Sequence, residues 1–208
     1  MMHRGGIQFL ALFILLHQVR TFTLVYGNGI PSSCVKLEAK YKQSLGLDGT
    51  DTVEIPEDLQ VPAGNKLRFC YFAEGVQEYK FNGTAWNNFN ASAILLGREN
   101  QIMGQHFYLP EADNLGGQPT WETFSPWSMV TSKPLKKILV MKDATAWVLL
   151  QSTHESGSRK RFGRVTYTQR LFTSGSLSPN SSSSEGAVYG QYVESPYTAV
   201  YAYYTKHH

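Results

Sequence analysis

His106 and Glu122 are the ionisable side chains whose positions in the chain could support acid–base chemistry. His106 lies in a candidate strand beside Phe107 and Tyr108, and Glu122 follows closely in sequence. An imidazole titrates near neutral pH, so it can act as a general base or contact a bound ligand. The commoner alternative is a half-buried histidine that is hydrogen-bonded to a neighbouring strand. Both interpretations stay open, with His106 and Glu122 as weak catalytic candidates.

A second set of side chains has the chemistry of a carbohydrate-binding surface. Flat sugar faces stack on Trp and Tyr rings, while Gln and His form hydrogen bonds to hydroxyl groups. The candidates for ligand binding are Gln77, Tyr79, His106, Trp121 and Trp127. Aromatic rings also fill the cores of β-proteins, so simple packing is the alternative for both tryptophans.

The sequence lacks the motifs of several large enzyme classes. No Gly-x-Gly-x-x-Gly follows a strand, which excludes a dinucleotide fold, and no Gly-x-Ser-x-Gly elbow is present. Glycoside hydrolysis needs two carboxylates across a cleft, and no spacing singles out a pair among Glu74, Glu78 and Glu122. Two cysteines cannot form a tetrahedral zinc site. We therefore predict no cofactor and no metal.

The charge of the chain argues against a nucleic acid as its partner. The net charge is +3, from 19 Lys and Arg against 16 Asp and Glu, which is too small for a dedicated nucleic-acid binder. The clearest basic stretch comprises Arg159, Lys160, Arg161 and Arg164. It predicts a solvated hairpin tip, with contact to a polyanion as the alternative.

The first residues indicate export from the cell. A short start with one Arg precedes the run Ile7–Leu16, which is apolar except for Gln8. This run is shorter than the roughly 20 residues needed to span a bilayer. Small residues before Asn28 fit a cleavage site. We expect a signal peptide over residues 1–27, an N-terminal segment over 28–54 and a single β domain over 55–208. The predicted protein is secreted and has no membrane anchor after cleavage.

Three glycosylation sequons agree with export, and their asparagines are Asn82, Asn90 and Asn180. Such sequons are modified on secreted proteins where they face solvent. All three lie among Gly, Asn and Ser, so we expect them in loops. The sequence thus predicts a glycoprotein.

Cys34 and Cys70 are the two cysteines of the chain. In an oxidising compartment an even pair is most simply one disulfide, here between the N-terminal segment and the first strong strand. Two buried thiols, or one exposed thiol with an intermolecular partner, are the alternatives.

Alternating apolar and polar residues indicate strands along most of the chain. Glu74 and Gly75 are predicted to break the first run, and residues 113–119 to form a loop. The predicted strands are 65–71, 76–81, 93–96, 102–109, 136–142, 144–151, 162–172 and 197–205. Roughly eight short strands without a long periodic helix predict a single all-β domain, either a β-sandwich or a barrel.

Several short motifs follow one another in a recognisable order along the chain. They are LQVPAG (59–64), GVQEY (75–79), PTWE (119–122), ATAWVLL (144–150), VTYTQRLFT (165–173) and PYTAVYAYY (196–204). This succession resembles an uncharacterised secreted family, domain of unknown function 3455. The resemblance covers about residues 55–204; it implies export and a shared fold, and it lends no established activity.

Three functions follow from these observations as hypotheses. The first is a non-catalytic extracellular binding module, with cell-wall polysaccharide as the candidate partner. The second is a secreted enzyme with an acid–base site near His106 and Glu122. The third is a structural protein of the extracellular matrix without a discrete ligand.

Overall fold

The structure, a computed structural model, describes Cys34 and residues 55–97, 99–179 and 186–207. Eight antiparallel strands follow one another around a closed barrel, and the last strand pairs with the first. Their bounds are β1 (Asn65–Phe81), β2 (Trp86–Leu96), β3 (Ile102–Tyr108), β4 (Pro119–Phe124), β5 (Trp127–Ile138), β6 (Trp147–Gly157), β7 (Val165–Gly175) and β8 (Tyr192–Lys206). A short 3-10 helix, Glu57–Leu59, precedes β1. The all-β prediction is confirmed, and of its two architectures the barrel forms.

β1 continues through Glu74 and Gly75, where the sequence predicts a break. Gly75 pairs with Ala93 of β2 on one side and with Tyr197 of β8 on the other. A Cβ atom at Gly75 would collide with the carbonyl oxygen of Ser92. Glycine is therefore part of this strand because the neighbouring backbone lies too close for a side chain.

Successive residues of each strand point to opposite faces of the barrel wall, and both faces carry a buried cluster. The interior cluster draws on strands all around the barrel and comprises Tyr71, Ala73, Ala93, Leu95, Trp121, Val130, Val148, Leu150, Phe162, Val165, Tyr197, Ala199, Tyr201 and Tyr203. The outer cluster comprises Cys34, Leu59, Cys70, Phe72, Leu96, Trp147, Leu149, Leu171, Phe172, Val200, Ala202 and Tyr204.

Cys34 and Leu59 cover the outer cluster. Cys34 forms a disulfide with Cys70 of β1, which confirms the predicted pairing. Leu59 is fully buried, and its carbonyl oxygen accepts a 2.6 Å hydrogen bond from Gln169 Nε2. Cys70 and Phe72 of β1 are buried on this outer face because Cys34 and Leu59 pack with them.

The sequence pattern does not predict β4 or the first half of β5, because their buried positions carry polar residues. Thr120, Thr123, Ser128 and Thr131 are polar yet almost completely buried, so they hide the alternation by which a strand is recognised. The hydroxyl oxygens of Thr120 and Thr131 lie 3.1 Å apart across the β4–β5 ladder. Hydrogen bonding between such hydroxyls allows polar side chains to be buried inside the wall.

Phe162 closes one end of the barrel. It lies in the loop between β6 and β7, is fully buried, and packs against the rings of Phe69, Tyr71 and Tyr203 at centroid distances of 5.8, 6.2 and 4.9 Å. β6 and β7 pair only between residues 148–151 and 167–170. The strands separate beyond this ladder, since the loop that joins them turns into the barrel.

The three sequons have different surroundings. Asn82 is exposed in the β1–β2 turn, where its Oδ1 accepts hydrogen bonds from the backbone N–H groups of Thr84 and Ala85. Asn90 lies in β2, so the loop prediction is wrong there; its Asn-rich surroundings pair with β1. Asn180 lies outside the described residues, as do the predicted signal peptide and the N-terminal segment apart from Cys34. No helix in the described part of the chain is long and apolar enough to cross a membrane.

Candidate functional site

A cavity of about 170 Å³ lies inside the barrel, at the end opposite Phe162. The side chains that matter for its chemistry are Gln77, Tyr79, His106, Trp121, Arg170 and Tyr201. The structure thus brings together all but one of the ligand-binding candidates proposed from the sequence. The exception is Trp127, which lies elsewhere.

Small residues of β1 and β2 lie beside two of the residues that line this cavity, Gln77 and His106. Gly75 pairs with Ala93 and Gln77 pairs with Ala91, and both alanines are buried. Ala93 in turn pairs with His106 of β3. Small barrels are commonly filled by alternating small and large interior residues, and the large His106 lies here beside the small Ala93.

His106 is enclosed in the cavity wall and is 2% exposed. Its Nδ1 lies 2.8 Å from the carbonyl oxygen of Thr120. Because a carbonyl oxygen only accepts, Nδ1 carries the proton and Nε2 remains an acceptor. Burial lowers the pKa of His106 to about 3; the Thr120 hydrogen bond opposes this shift, and the positive charge of Arg170 adds to it. The imidazole is therefore neutral at physiological pH and a weak base.

Trp121 packs against His106 and is 1% exposed. The two ring centroids lie 4.6 Å apart with planes inclined by 13°, and the Tyr201 ring meets the indole edgewise at 5.2 Å. No face of the indole is open for a sugar to stack on. Its buried Nε1–H has no hydrogen-bond acceptor among the described residues. Trp121 therefore offers no stacking platform, and its indole N–H is a buried donor without a partner in the described part of the chain.

Gln77 and Tyr79 are buried neighbours on the interior face of β1. The Tyr79 hydroxyl donates to the carbonyl oxygen of Ser176 at 3.0 Å, and Gln77 Oε1 lies 3.3 Å from the same hydroxyl. The Nε2 group of Gln77 adds further donors. This side of the cavity therefore combines donors and acceptors at close spacing.

Arg170 of β7 is the functional candidate that the sequence analysis missed. It is 9% exposed and points into the barrel because it pairs with the interior residues Val148 and Tyr201. Its Nε and Nη2 donate to the carbonyl oxygen of Ala146 at 3.1 and 2.9 Å, and Nη2 also donates to Thr145 Oγ1 at 3.1 Å. All of these acceptors are neutral.

The cavity wall carries positive charge. Arg170 and Lys137 line it, His106 is neutral, and no carboxylate of the described residues belongs to the lining. Burial raises the pKa of Tyr108 and Tyr201, against the opposing charge of Arg170. Both hydroxyl groups therefore keep their protons and can donate hydrogen bonds to a ligand.

Glu122 and Trp127 lie on the outer face of the wall, away from the cavity. Glu122 pairs with Gln105, one residue beyond the His106–Trp121 pair, so its side chain points to the opposite face. It accepts hydrogen bonds from Trp127 Nε1 at 2.7 Å and from Gln105 Nε2 at 2.9 Å. Trp127 is 50% exposed. The structure does not bring His106 and Glu122 together as an acid–base pair.

The basic stretch lies at the barrel end that Phe162 closes. Arg159 and Arg164 line an open cleft of about 1200 Å³ that also contains Lys66, Arg68 and Lys206. Glu155 lies in the same cleft, where burial raises its pKa and the charge of Arg159 opposes that rise. The cations of this cleft thus face a carboxylate, unlike those of the interior cavity.

These features define a class of protein, an all-β barrel with a polar interior cavity. A sequence model of the family described as "Protein of unknown function (DUF3455)" matches residues 87–205. The chain belongs to this family, which confirms the resemblance carried by its motifs. No curated protein matches the chain, and no solved structure matches it.

Proposed function

We propose that the chain is an exported glycoprotein that binds a small hydroxylated molecule in the open end of its barrel, without transforming it. The terminal sugar unit of a cell-wall polysaccharide is the ligand class we favour. The observation that carries the proposal is the concentration of buried donors and acceptors in one cavity wall, on Gln77, His106, Trp121 and Arg170.

Hydrogen bonds would hold such a ligand, because the ring faces are taken by other side chains. A sugar hydroxyl both donates and accepts, so it can pair with His106 Nε2 as an acceptor, and with Trp121 Nε1–H as a donor once a small shift of the wall uncovers that buried atom. A buried donor without a partner costs about 1–3 kcal/mol. A ligand oxygen beside Trp121 would recover part of that cost.

The size of the cavity limits the ligand to one small unit. A volume of about 170 Å³ is well below the roughly 300–1,000 Å³ of sites for drug-sized ligands. A longer polysaccharide would therefore place only its terminal unit inside. For a sugar of about twelve non-hydrogen atoms, a typical ligand efficiency gives a Kd of about 1 mM.

Binding is favoured over catalysis by the state of the ionisable groups. The pKa of His106 is lowered to about 3, far from the range in which a general base works well at neutral pH. Glycoside hydrolysis uses two carboxylates on either side of the bond. Within the described residues, the cavity lining contributes none.

The test is binding of the secreted, glycosylated protein to an array of cell-wall polysaccharides and to methyl glycosides of single sugars. Trp121→Phe keeps a ring in place and removes the indole donor. We expect this variant to bind about five- to tenfold more weakly, since one hydrogen bond contributes about 1 kcal/mol. Thermal unfolding of each variant checks that the barrel is intact.

Trp127→Phe is the matched control, because it makes the same change at an exposed tryptophan outside the cavity. It should bind as tightly as the native chain. If Trp127→Phe loses sugar binding and Trp121→Phe does not, the binding site lies on the outer face of the barrel and not in the cavity. Absence of binding by the folded native protein to every sugar would overturn the proposal.

A further inference from the structure

We infer that the ligand carries a carboxylate group, which binds the guanidinium of Arg170, so that the ligand class is an acidic sugar unit such as a uronic acid. This inference rests on the proposed function and narrows it. It starts from the charge of Arg170, which no other feature of the cavity explains.

Arg170 is a buried cation whose hydrogen-bond partners are all neutral. Its three hydrogen bonds go to a backbone carbonyl oxygen and a threonine hydroxyl, Ala146 O and Thr145 Oγ1. Burying a charge is costly unless an opposite charge accompanies it. The carboxylates of the described residues are absent from the cavity lining, so a ligand is the candidate source of the missing negative charge.

The geometry of the guanidinium suits a carboxylate. The three bonds to Ala146 and Thr145 come from Nε and Nη2, and the guanidinium also contacts the Tyr201 hydroxyl. Guanidinium groups bind carboxylates through short charge-assisted hydrogen bonds, more strongly than they bind neutral acceptors. The Tyr201 hydroxyl lies on the adjacent strand, 3.2 Å from the Tyr197 hydroxyl, and it can donate to the same anion while Tyr197 donates to it.

The rest of the wall favours an anion as well. Lys137 lines the same cavity and is exposed, which places a second cation where a ligand enters. His106 is neutral and presents Nε2 as an acceptor. The wall therefore combines cations with groups that recognise hydroxyls, which is the pattern that an acidic sugar would match.

The experiment compares acidic and neutral sugars of otherwise identical shape. Binding of methyl glucuronoside, methyl glucoside, methyl galacturonoside and methyl galactoside is measured by calorimetry, beside lactate as a carboxylate without a sugar ring. We expect the acidic member of at least one pair to bind at least about tenfold more tightly than its neutral partner. Arg170→Gln should abolish that preference, and Lys136→Gln, which changes an exposed cation outside the cavity lining, should leave it intact.

The outcomes separate this inference from the proposed function. Equal binding of acidic and neutral sugars would contradict the inference that the ligand carries a carboxylate, and it would leave the proposed sugar-binding function intact. If lactate binds as tightly as the uronates, recognition of a carboxylate would be supported, and the proposal that the ligand is a sugar would be overturned. If nothing binds, both fail. The ratio of the two affinities in the native protein tests the inference even if Arg170→Gln does not fold. Arg170→Lys, which retains the charge, then tests the site, because an unchanged affinity for the acid would contradict specific recognition by the guanidinium.

Discussion

The imidazole of His106 and the indole of Trp121 form a stacked pair on the interior wall, with ring centroids 4.6 Å apart. The backbone positions of the two residues pair across the β3–β4 ladder. The hydrogen bond from Nδ1 to the Thr120 carbonyl oxygen fixes the orientation of the imidazole. Stacking and burial together require a neutral ring, since a charged imidazole would lose its hydration without gaining an anion.

The buried His106 makes stability depend on pH. Its pKa is lowered to about 3 in the folded chain, against about 6.5 when unfolded. Between these values the unfolded chain binds a proton that the folded chain does not. The free energy of unfolding therefore falls as the pH falls, by about 2–3 kcal/mol between about pH 7.5 and 4.5. Urea denaturation across this range should lose that slope in His106→Gln.

His154→Gln is the control for this measurement, because His154 is exposed. It should retain the slope of the native protein. An unchanged slope in a folded His106→Gln variant would mean that His106 is not buried in its neutral form.

The ring of Phe162 is predicted to stabilise the closed end of the barrel. Phe162→Ala removes a fully buried side chain that contacts three aromatic rings. We expect a loss of about 3–5 kcal/mol, measured by urea denaturation. Phe124→Ala makes the same change at a side chain that is 55% exposed, and it should cost no more than about 0.5 kcal/mol. Similar losses in the two variants would contradict the inward position of the β6–β7 loop.

Gly75 is predicted to tolerate no side chain. The Cβ of Gly75→Ala would meet the backbone of Ser92 and lie 2.6 Å from the Cβ of Ala93. Relieving such contacts requires the β1–β2 ladder to shift, at a cost of about 1–3 kcal/mol or more. Ser92→Thr, at the exposed neighbouring position and with the Asn90 sequon retained, should leave the free energy of unfolding nearly unchanged. If Gly75→Ala is as stable as the native chain, the close approach of β1 and β2 is contradicted.

The disulfide is expected to stabilise the covered outer face. Cys34 and Cys70 are separated by 36 positions in sequence, and closing a loop of that length typically contributes about 2–4 kcal/mol. The double variant Cys34→Ala/Cys70→Ala should unfold at correspondingly lower urea. Adding a reductant should destabilise the native protein and leave the double variant unchanged. A response of the double variant to reductant would show that the effect does not come from this bond.

Local patterning in the sequence predicts much of the fold. The alternation in β7 and β8 identifies both strands, because the period of two is set within a single strand. It fails for β4, where Thr120 and Thr123 are buried polar residues, and at Gly75, whose role depends on the neighbouring strand. Closure between β1 and β8 is likewise a contact between distant segments, and no local pattern reports it.

The candidate site could be predicted only in part, for a reason of strand geometry. Gln77 and Trp121 reach the cavity because they lie on interior positions of their strands, whereas Glu122 is one position from Trp121 and lies outside. One step along a strand reverses the face. Arg170 was missed because a polar strand face normally predicts solvent. The buried outer face of β7, with Leu171 covered in the outer cluster, is the sign that its polar face turns inward.

The most direct test of the cavity as a ligand site is the indole N–H signal of Trp121 in a proton–nitrogen correlation spectrum, recorded during titration with methyl glucuronoside. The chain has 4 tryptophans, so each signal can be assigned from a Trp→Phe variant. We predict that the Trp121 signal shifts saturably, since its donor gains an acceptor. The signals of Trp147, in the outer cluster, and of Trp127, on the outer face, should stay in place. Binding inside the barrel would be contradicted if only the Trp127 signal shifts. It would also be contradicted if no indole signal shifts with any of the four methyl glycosides.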